Sequence, residues 1–255
     1  MTAPVVLTVP RDSFLVGAVG MLDRFVDGLG DHATVGGMAV IVRVAAVHRA
    51  TGDIDSAVRD LDRAAEAIVA AVGGRRRGNS VELDGFAGSV DLVDATVPVA
   101  EALSFEPADE IEARFRARAV LMRVATETPE PVPILLRSPM GEVLLETGLR
   151  VARPGILAAA KALSALDPSR NEDKRGTDVA DLVLLTEAYA IADLAQDLGP
   201  VPDVIREFHA GDITALTGDH LDRTMRWLTR SSRIDAAGFS RERIAAAGVL
   251  ARAIR

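Results

Sequence analysis

The pattern of apolar residues changes character once along these 255 residues, and that change limits the fold more than any other feature. Up to about residue 150, short alternating runs are interleaved with segments of helical periodicity. From Pro154 onward every segment reads as helix: 154–166, 175–197, 200–208, 217–230 and 239–253. Strands interleaved with helices imply a mixed sheet with flanking helices. The expected architecture is therefore α/β (α+β): a small mixed sheet with flanking helices over residues 1–150, followed by an α-helical C-terminal domain over 151–255. The boundary falls in the GLRVARPG stretch.

Within the first part, residues 13–29 place Phe14, Val16, Val19, Leu22 and Val26 at spacings of two to four, the pattern of an amphipathic helix. Residues 33–48 read as a short strand, a turn at Gly36-Gly37 and a helix. DIDSAV (53–58) reads as a strand, and 59–72 as a helix ended by Gly73-Gly74. Residues 80–95 form two alternating runs around a glycine-containing turn, the pattern of a β-hairpin. Arg114 to Thr126 reads as helix, and 132–136 with 142–147 as a strand pair around Pro139-Met140-Gly141.

Composition excludes several classes. At 49% hydrophobic and 26% charged residues, the chain has enough material for a core. It contains no cysteine, which removes disulfides, thiolate metal sites and cysteine nucleophiles. No apolar run approaches the ~18 residues of a membrane span, and the N-terminus lacks a basic start and apolar core. A cytoplasmic protein with no membrane partner is expected. The net charge of -8 argues against a surface coated with nucleic-acid contacts, and 4% aromatics, with Trp227 and Tyr189 alone of their kinds, argue against base-stacking platforms.

The carboxylates are the most informative groups. On a strand, residues i and i+2 share a face, so Asp53 and Asp55 stand side by side while Ile54 faces the core. Such a pair repels itself unless a cation lies between, and hard oxygen ligands suit Mg²⁺ or Mn²⁺. Asp91 lies on a second strand and could supply a third carboxylate for phosphoryl or nucleotidyl transfer. A bare D-x-D is most often a solvated strand face, and a lone Gly-Gly is most often a plain turn. Here Gly36-Gly37 opens a helix, where backbone amides can approach a phosphate. His48-Arg49-Ala50-Thr51 then leads into the carboxylate pair.

That ordered combination resembles the nucleotidyltransferase superfamily with the polymerase-β-like core. The run Arg49-Ala50-Thr51-Gly52-Asp53-Ile54-Asp55 is similar to the R-x-T-x-D-x-D form of its AbiEii/MenT branch, toxins of bacterial toxin–antitoxin systems. Two later segments extend the resemblance to about residue 186. Lys161 sits on a helix that follows a strand, and KRGTDVADLVLL places Asp178 and Asp181 one turn apart. One departure is the fifteen residues between Gly37 and Asp53, somewhat more than usual. The helix or its exit loop can absorb them, which leaves open which glycine meets a phosphate.

The resemblance implies a nucleotidyltransferase core in which Asp53, Asp55 and Asp91 hold Mg²⁺ or Mn²⁺ and an NTP is the substrate. Asp91 would also accept the proton of the attacking hydroxyl. Lys161 would bind the triphosphate, and Asp178 would orient a base, a metal or that lysine. Otherwise Asp178 is an ordinary first-turn helix acid, and Lys161 a snorkelling surface lysine. Gly36, Gly37, Arg49 and Thr51 would touch nucleotide or brace the carboxylate strand, with Asp181 a structural partner. The four histidines show no metal-ligand spacing and receive no role.

The same branch points to the 3′ end of a tRNA as acceptor and to an antitoxin as partner. Eight arginines and two acids between residues 223 and 255 give a local +6, so the other 222 residues carry -14. That end would suit RNA, an antitoxin or the acidic half of the chain itself. Arg75-Arg76-Arg77 is most often a solvated turn. Two rival functions remain: nucleotidyl transfer to a small molecule of the antibiotic type, and a catalytically silent nucleotide-binding regulator.

Overall fold

The computed structural model describes residues 3–104 and 106–255. Strand β1 (Val5–Thr8) leads into α1 (Phe14–Phe25), which Ser13 caps by accepting the Leu15 amide. Next come β2 (His32–Val35), α2 (Gly36–Val44), β3 (Asp53–Val58) and α3 (Leu61–Val72), the last capped by Asp60. Three short strands follow: β4 (Arg75–Arg77), β5 (Ser80–Glu82) and β6 (Ser89–Asp94). A short α4 (Val99–Ala102), α5 (Glu110–Glu127) and the hairpin β7 (Glu130–Arg137) and β8 (Val143–Val151) complete the mixed part.

The remainder is helical, as its periodicity indicates: α6 (Pro154–Leu166), α7 (Glu172–Ala188), α8 (Ile191–Asp197), α9 (Asp203–Thr214), α10 (Leu221–Arg230), α11 (Arg241–Ala247) and α12 (Val249–Ala253). The segment expected as one helix over 175–197 is two, because Tyr189 and Ala190 are extended. Asn171 starts α7 earlier by accepting the Lys174 amide at 2.9 Å. A π-helical turn, Ala215–Asp219, separates α9 from α10. Among the described residues no helix is long and apolar enough to cross a membrane.

One mixed sheet runs β1-β7-β8-β2-β3-β6-β5-β4. β1 and the basic run 75–77 enter it as strands. The arginines are not a turn but the outermost strand, paired antiparallel with β5. At the centre, β2 pairs antiparallel with β3, and β3 parallel with β6. Because β2 and β8 run parallel, α2 and α6 leave the sheet from the same end. Buried apolar side chains from Leu7 to Ile254 form one continuous core.

Candidate active site

Strand registry creates the site. Asp55 lies directly opposite Asp91 across the parallel β3–β6 pair, and Asp53 opposite Ser89. All share one face of the sheet, while Ile54 and Val90 are fully buried on the other. The nearby acid Asp94 is out of phase with Asp91; it ends the strand and accepts the Thr96 hydroxyl and amide. The Asp91 Oδ1 accepts from Ser80 Oγ at 2.7 Å, and Ser89 Oγ lies 3.1 Å from the same atom and 3.4 Å from Asp53 Oδ1. Ser89 was within reach of sequence reasoning, since it is two residues before Asp91 and therefore in phase with it.

The glycine pair is fitted to its neighbours. Val35 pairs with Asp55, so the next residue, Gly36, turns away from β2 beside that carboxylate. Gly36 adopts φ +67°, and a Cβ there would fall 1.9 Å from Asp55 Oδ2. At Gly37 a Cβ would fall 2.1 Å from Arg49 Nη2. Only glycine leaves room for both side chains. Helix α2 ends at Val44, so the long Gly37–Asp53 spacing is absorbed by residues 45–52. That loop carries Arg49 and Thr51, whose hydroxyl donates to the Asp53 carbonyl at 3.3 Å.

Helices α6 and α7 supply the opposite wall. Lys161 lies seven residues into α6, roughly 10 Å along its axis, and only 7% of it is exposed. Its Nζ is 3.0 Å from Asp178 Oδ1 and 2.7 Å from Asp181 Oδ2. It is not a surface lysine. Asp181 is fully buried and also takes a bidentate pair from Arg49, at 2.9 Å and 2.8 Å, and His48 Nε2 at 2.7 Å. One carboxylate on α7 therefore fixes both the lysine and the loop that leads into β3. His48 carries no role in the sequence reading because a contact across 133 positions leaves no local signal.

Electrostatics follow from this packing. Burial works against the Lys161 ammonium, but Asp181 and Asp178 outweigh it and raise its pKa. Burial would push Asp181 up; Lys161, His48 and Arg49 instead hold it far below the usual carboxylate range. Asp55 goes the other way. Burial, with Asp91 and Asp53 nearby, pushes it up to about 6 against the pull of Lys161.

These groups face one cavity of about 250 Å³. Gly36, Gly37, Arg49, Thr51, Asp53, Asp55, Asp91, Lys161 and Asp178 all line it, so residues far apart in the chain meet there. Arg118, Arg170, Lys174 and Arg233 line it too, beside an apolar wall that includes Leu121, Met122 and Leu157. The chain has only two lysines, and both are here. Arg233 belongs to the basic C-terminal end, whose segment is bridged to Arg49 through Ile234.

No family model matches the chain, and no curated protein does. A solved structure, JHP933 from Helicobacter pylori, matches with a TM-score of 0.45 and 13% identity, covering 96% of this chain and 93% of that one.

The donor chemistry of the floor suits a hard divalent cation: three carboxylates on one face, one of them raised by desolvation and by the two beside it. Among the described residues no group of three or more His, Asp or Glu side chains is drawn together as a preformed metal site. The serine hydroxyls instead occupy oxygens of Asp53 and Asp91.

Proposed function

We propose that the protein is a metal-dependent nucleotidyltransferase that moves a nucleoside monophosphate from an NTP to an acceptor hydroxyl and releases pyrophosphate. The observation that carries this reading is the convergence of Asp53, Asp55 and Asp91 with Lys161 on one cavity, from three separate elements of the chain. Asp53, Asp55 and Asp91 would hold Mg²⁺ or Mn²⁺, which when bound supplies Lewis acidity toward the phosphate oxygens.

The chain's own groups do the rest. Lys161, held by Asp178 and Asp181, presents a fixed positive charge to the polyphosphate and offsets charge building on the leaving pyrophosphate. Arg170 and Lys174 extend that positive wall. Asp91, steadied by Ser80 and Ser89, is the group to take the proton of the attacking hydroxyl. Gly36 keeps the Asp55 carboxylate at the sheet surface.

The motifs resemble the AbiEii/MenT branch, which makes the 3′ end of a tRNA the leading acceptor, growth arrest the consequence and an antitoxin the partner. Incubation with Mg²⁺, each labelled NTP and total tRNA tests this, and Asp53→Ala should abolish labelling. Label confined to an antibiotic-type small molecule would move the acceptor assignment. A wild-type protein that labels neither would be the silent regulator.

A further inference from the structure

The three arginines at the sheet edge are ordered by the same registry that builds the carboxylate site. Arg77 pairs with Ser80, and Ser80 with Asp91, which lies opposite Asp55. Arg75 pairs with Glu82, Glu82 with Ser89, and Ser89 with Asp53. Residues directly opposite in a ladder share a face. Arg75 and Arg77 therefore project from the same face as the three carboxylates, while Arg76 belongs to the row of Val81, Val90 and Ile54 on the other side. Side-chain contacts agree: Arg77 Nε is 3.1 Å from Glu82 Oε1, whereas Arg76 reaches Asp62 on α3, which packs against that other side.

On the carboxylate face this end of the sheet is open. Arg75, Arg77 and Glu82 are exposed. An open groove of about 410 Å³ runs there, lined by Asp53, Ser89, Glu82, Phe86 and the backbones at Gly52 and Gly88. It shares Gly52 and Asp53 with the cavity, so the two are continuous. Phe86 is half-buried and held against Phe14 with ring centroids 4.9 Å apart. The groove thus begins at Asp53, passes an anchored aromatic ring and reaches Glu82, the ladder partner of Arg75 on the edge strand.

We propose that this face is the track on which a single-stranded RNA 3′ end lies, with Arg75 and Arg77 meeting its backbone phosphates and Phe86 supporting a base. The proposal rests on the reading of the cavity as a nucleotidyl-transfer site and adds where the acceptor approaches. β4 is two strand spacings from Asp91, roughly 10 Å. That matches about three stacked nucleotides at ~3.4 Å each, so the arginines meet phosphates a few positions back from the reacting hydroxyl. Charged edge strands also discourage sheet-to-sheet pairing, but that purpose is served by either face. Of the C-terminal arginines, Arg230, Arg233, Arg241 and Arg243 are paired with Glu172, Asp173, Asp222 and Glu187, as Arg77 is with Glu82; what singles out Arg75 and Arg77 is the registry that puts them on the carboxylate face.

Arg76 provides an internal control, since its removal takes one arginine from the opposite face of the same strand. The affinity of the full chain for a fluorescent single-stranded RNA oligonucleotide is measured over a range of salt concentrations, alongside label transfer to tRNA. Arg75→Ala/Arg77→Ala should weaken RNA binding about tenfold and make the salt dependence shallower by about 1.4 in log–log slope, about 0.7 for each lost phosphate contact. Arg76→Ala should leave both values near wild type. NTP affinity should be unchanged in all variants, which verifies the fold. Equal effects from Arg76→Ala, or no effect from the double variant, would overturn the track. If RNA binds through Arg75 and Arg77 but receives no label, the track stands and the transfer reading fails. If label is transferred regardless of both arginines, the reverse holds.

Discussion

Asp55 and Asp91 face each other across the parallel β3–β6 pair, two carboxylates on neighbouring strands with Lys161 on the opposite wall of the same cavity. Asp55 is raised to about 6 by burial first, with Asp91 and Asp53 adding to it and Lys161 opposing. A carboxyl whose folded pKa is raised favours the folded state only while protonated. Its stabilising effect is lost as pH rises from its unfolded value toward about 6. At neutral pH the buried charge therefore costs stability. Asp55→Asn should raise the urea midpoint of the metal-free protein at pH 7 while abolishing transfer, and added Mg²⁺ should stabilise the wild type more than the variant. A variant less stable than wild type without metal would contradict this.

Gly36 is positioned by the same carboxylate. Its positive φ alone disfavours alanine by about 1–3 kcal/mol, and the added Cβ would collide with Asp55. Gly36→Ala should therefore lower thermal stability and displace Asp55, with a larger loss of activity than of stability. Gly211, which has nothing within 4 Å of a Cβ, provides the comparison. Gly211→Ala should leave activity unchanged.

Asp181 holds Lys161, Arg49 and His48 together from a fully buried position. Removing one partner of a buried ion pair leaves the others uncompensated, at a cost of about 3–5 kcal/mol. Asp181→Ala should destabilise the protein by this order in denaturant titration. His48→Ala, whose side chain lies at the edge of the cluster with 12% exposure, should cost much less. Similar losses from the two variants would show that Asp181 is not the centre of the cluster.

His209 on α9 reports acid stability. It is fully buried, neither ring nitrogen has a hydrogen-bond partner, and burial, aided by Arg114, lowers its pKa to about 3. The unfolded chain takes up this proton below its ordinary value of 6.5 while the folded one resists. Stability from this residue is complete above 6.5 and is lost as pH falls toward about 3. At pH 5 the loss is about 2 kcal/mol. Asp212, raised to about 6 by burial, acts in the opposite sense. His209→Leu isolates the histidine: between about pH 7.5 and 5, the variant should lose less stability than wild type. Parallel pH profiles would refute it.

What could be read from the sequence was what depends on local period. D-I-D on β3 and Asp178 with Asp181 on α7 announce their shared faces through spacings of two and three. The change to an all-helical chain at Pro154 was equally plain. Arg75–Arg77 could not be read as a strand because it has no apolar alternation and is bracketed by Gly73-Gly74 and Gly78. Only its ladder with β5 defines it. β1 was hidden for a similar reason, being four residues whose partner, β7, is more than a hundred positions away. The cluster around Asp181 joins three separate elements, so the family resemblance pointed to Lys161 and Asp181 but not to their contact.

The most direct measurement follows the two ends of the triphosphate. Wild-type protein is incubated with Mg²⁺ and tRNA, and with each NTP labelled in turn on the α- or the γ-phosphate. The α label should appear on the RNA and the γ label in released pyrophosphate, with both products lost in Asp53→Ala. Transfer of the γ label, labelling that survives Asp53→Ala, or no transfer from any NTP to RNA or to a small-molecule acceptor would contradict a nucleotidyltransferase built on Asp53, Asp55 and Asp91.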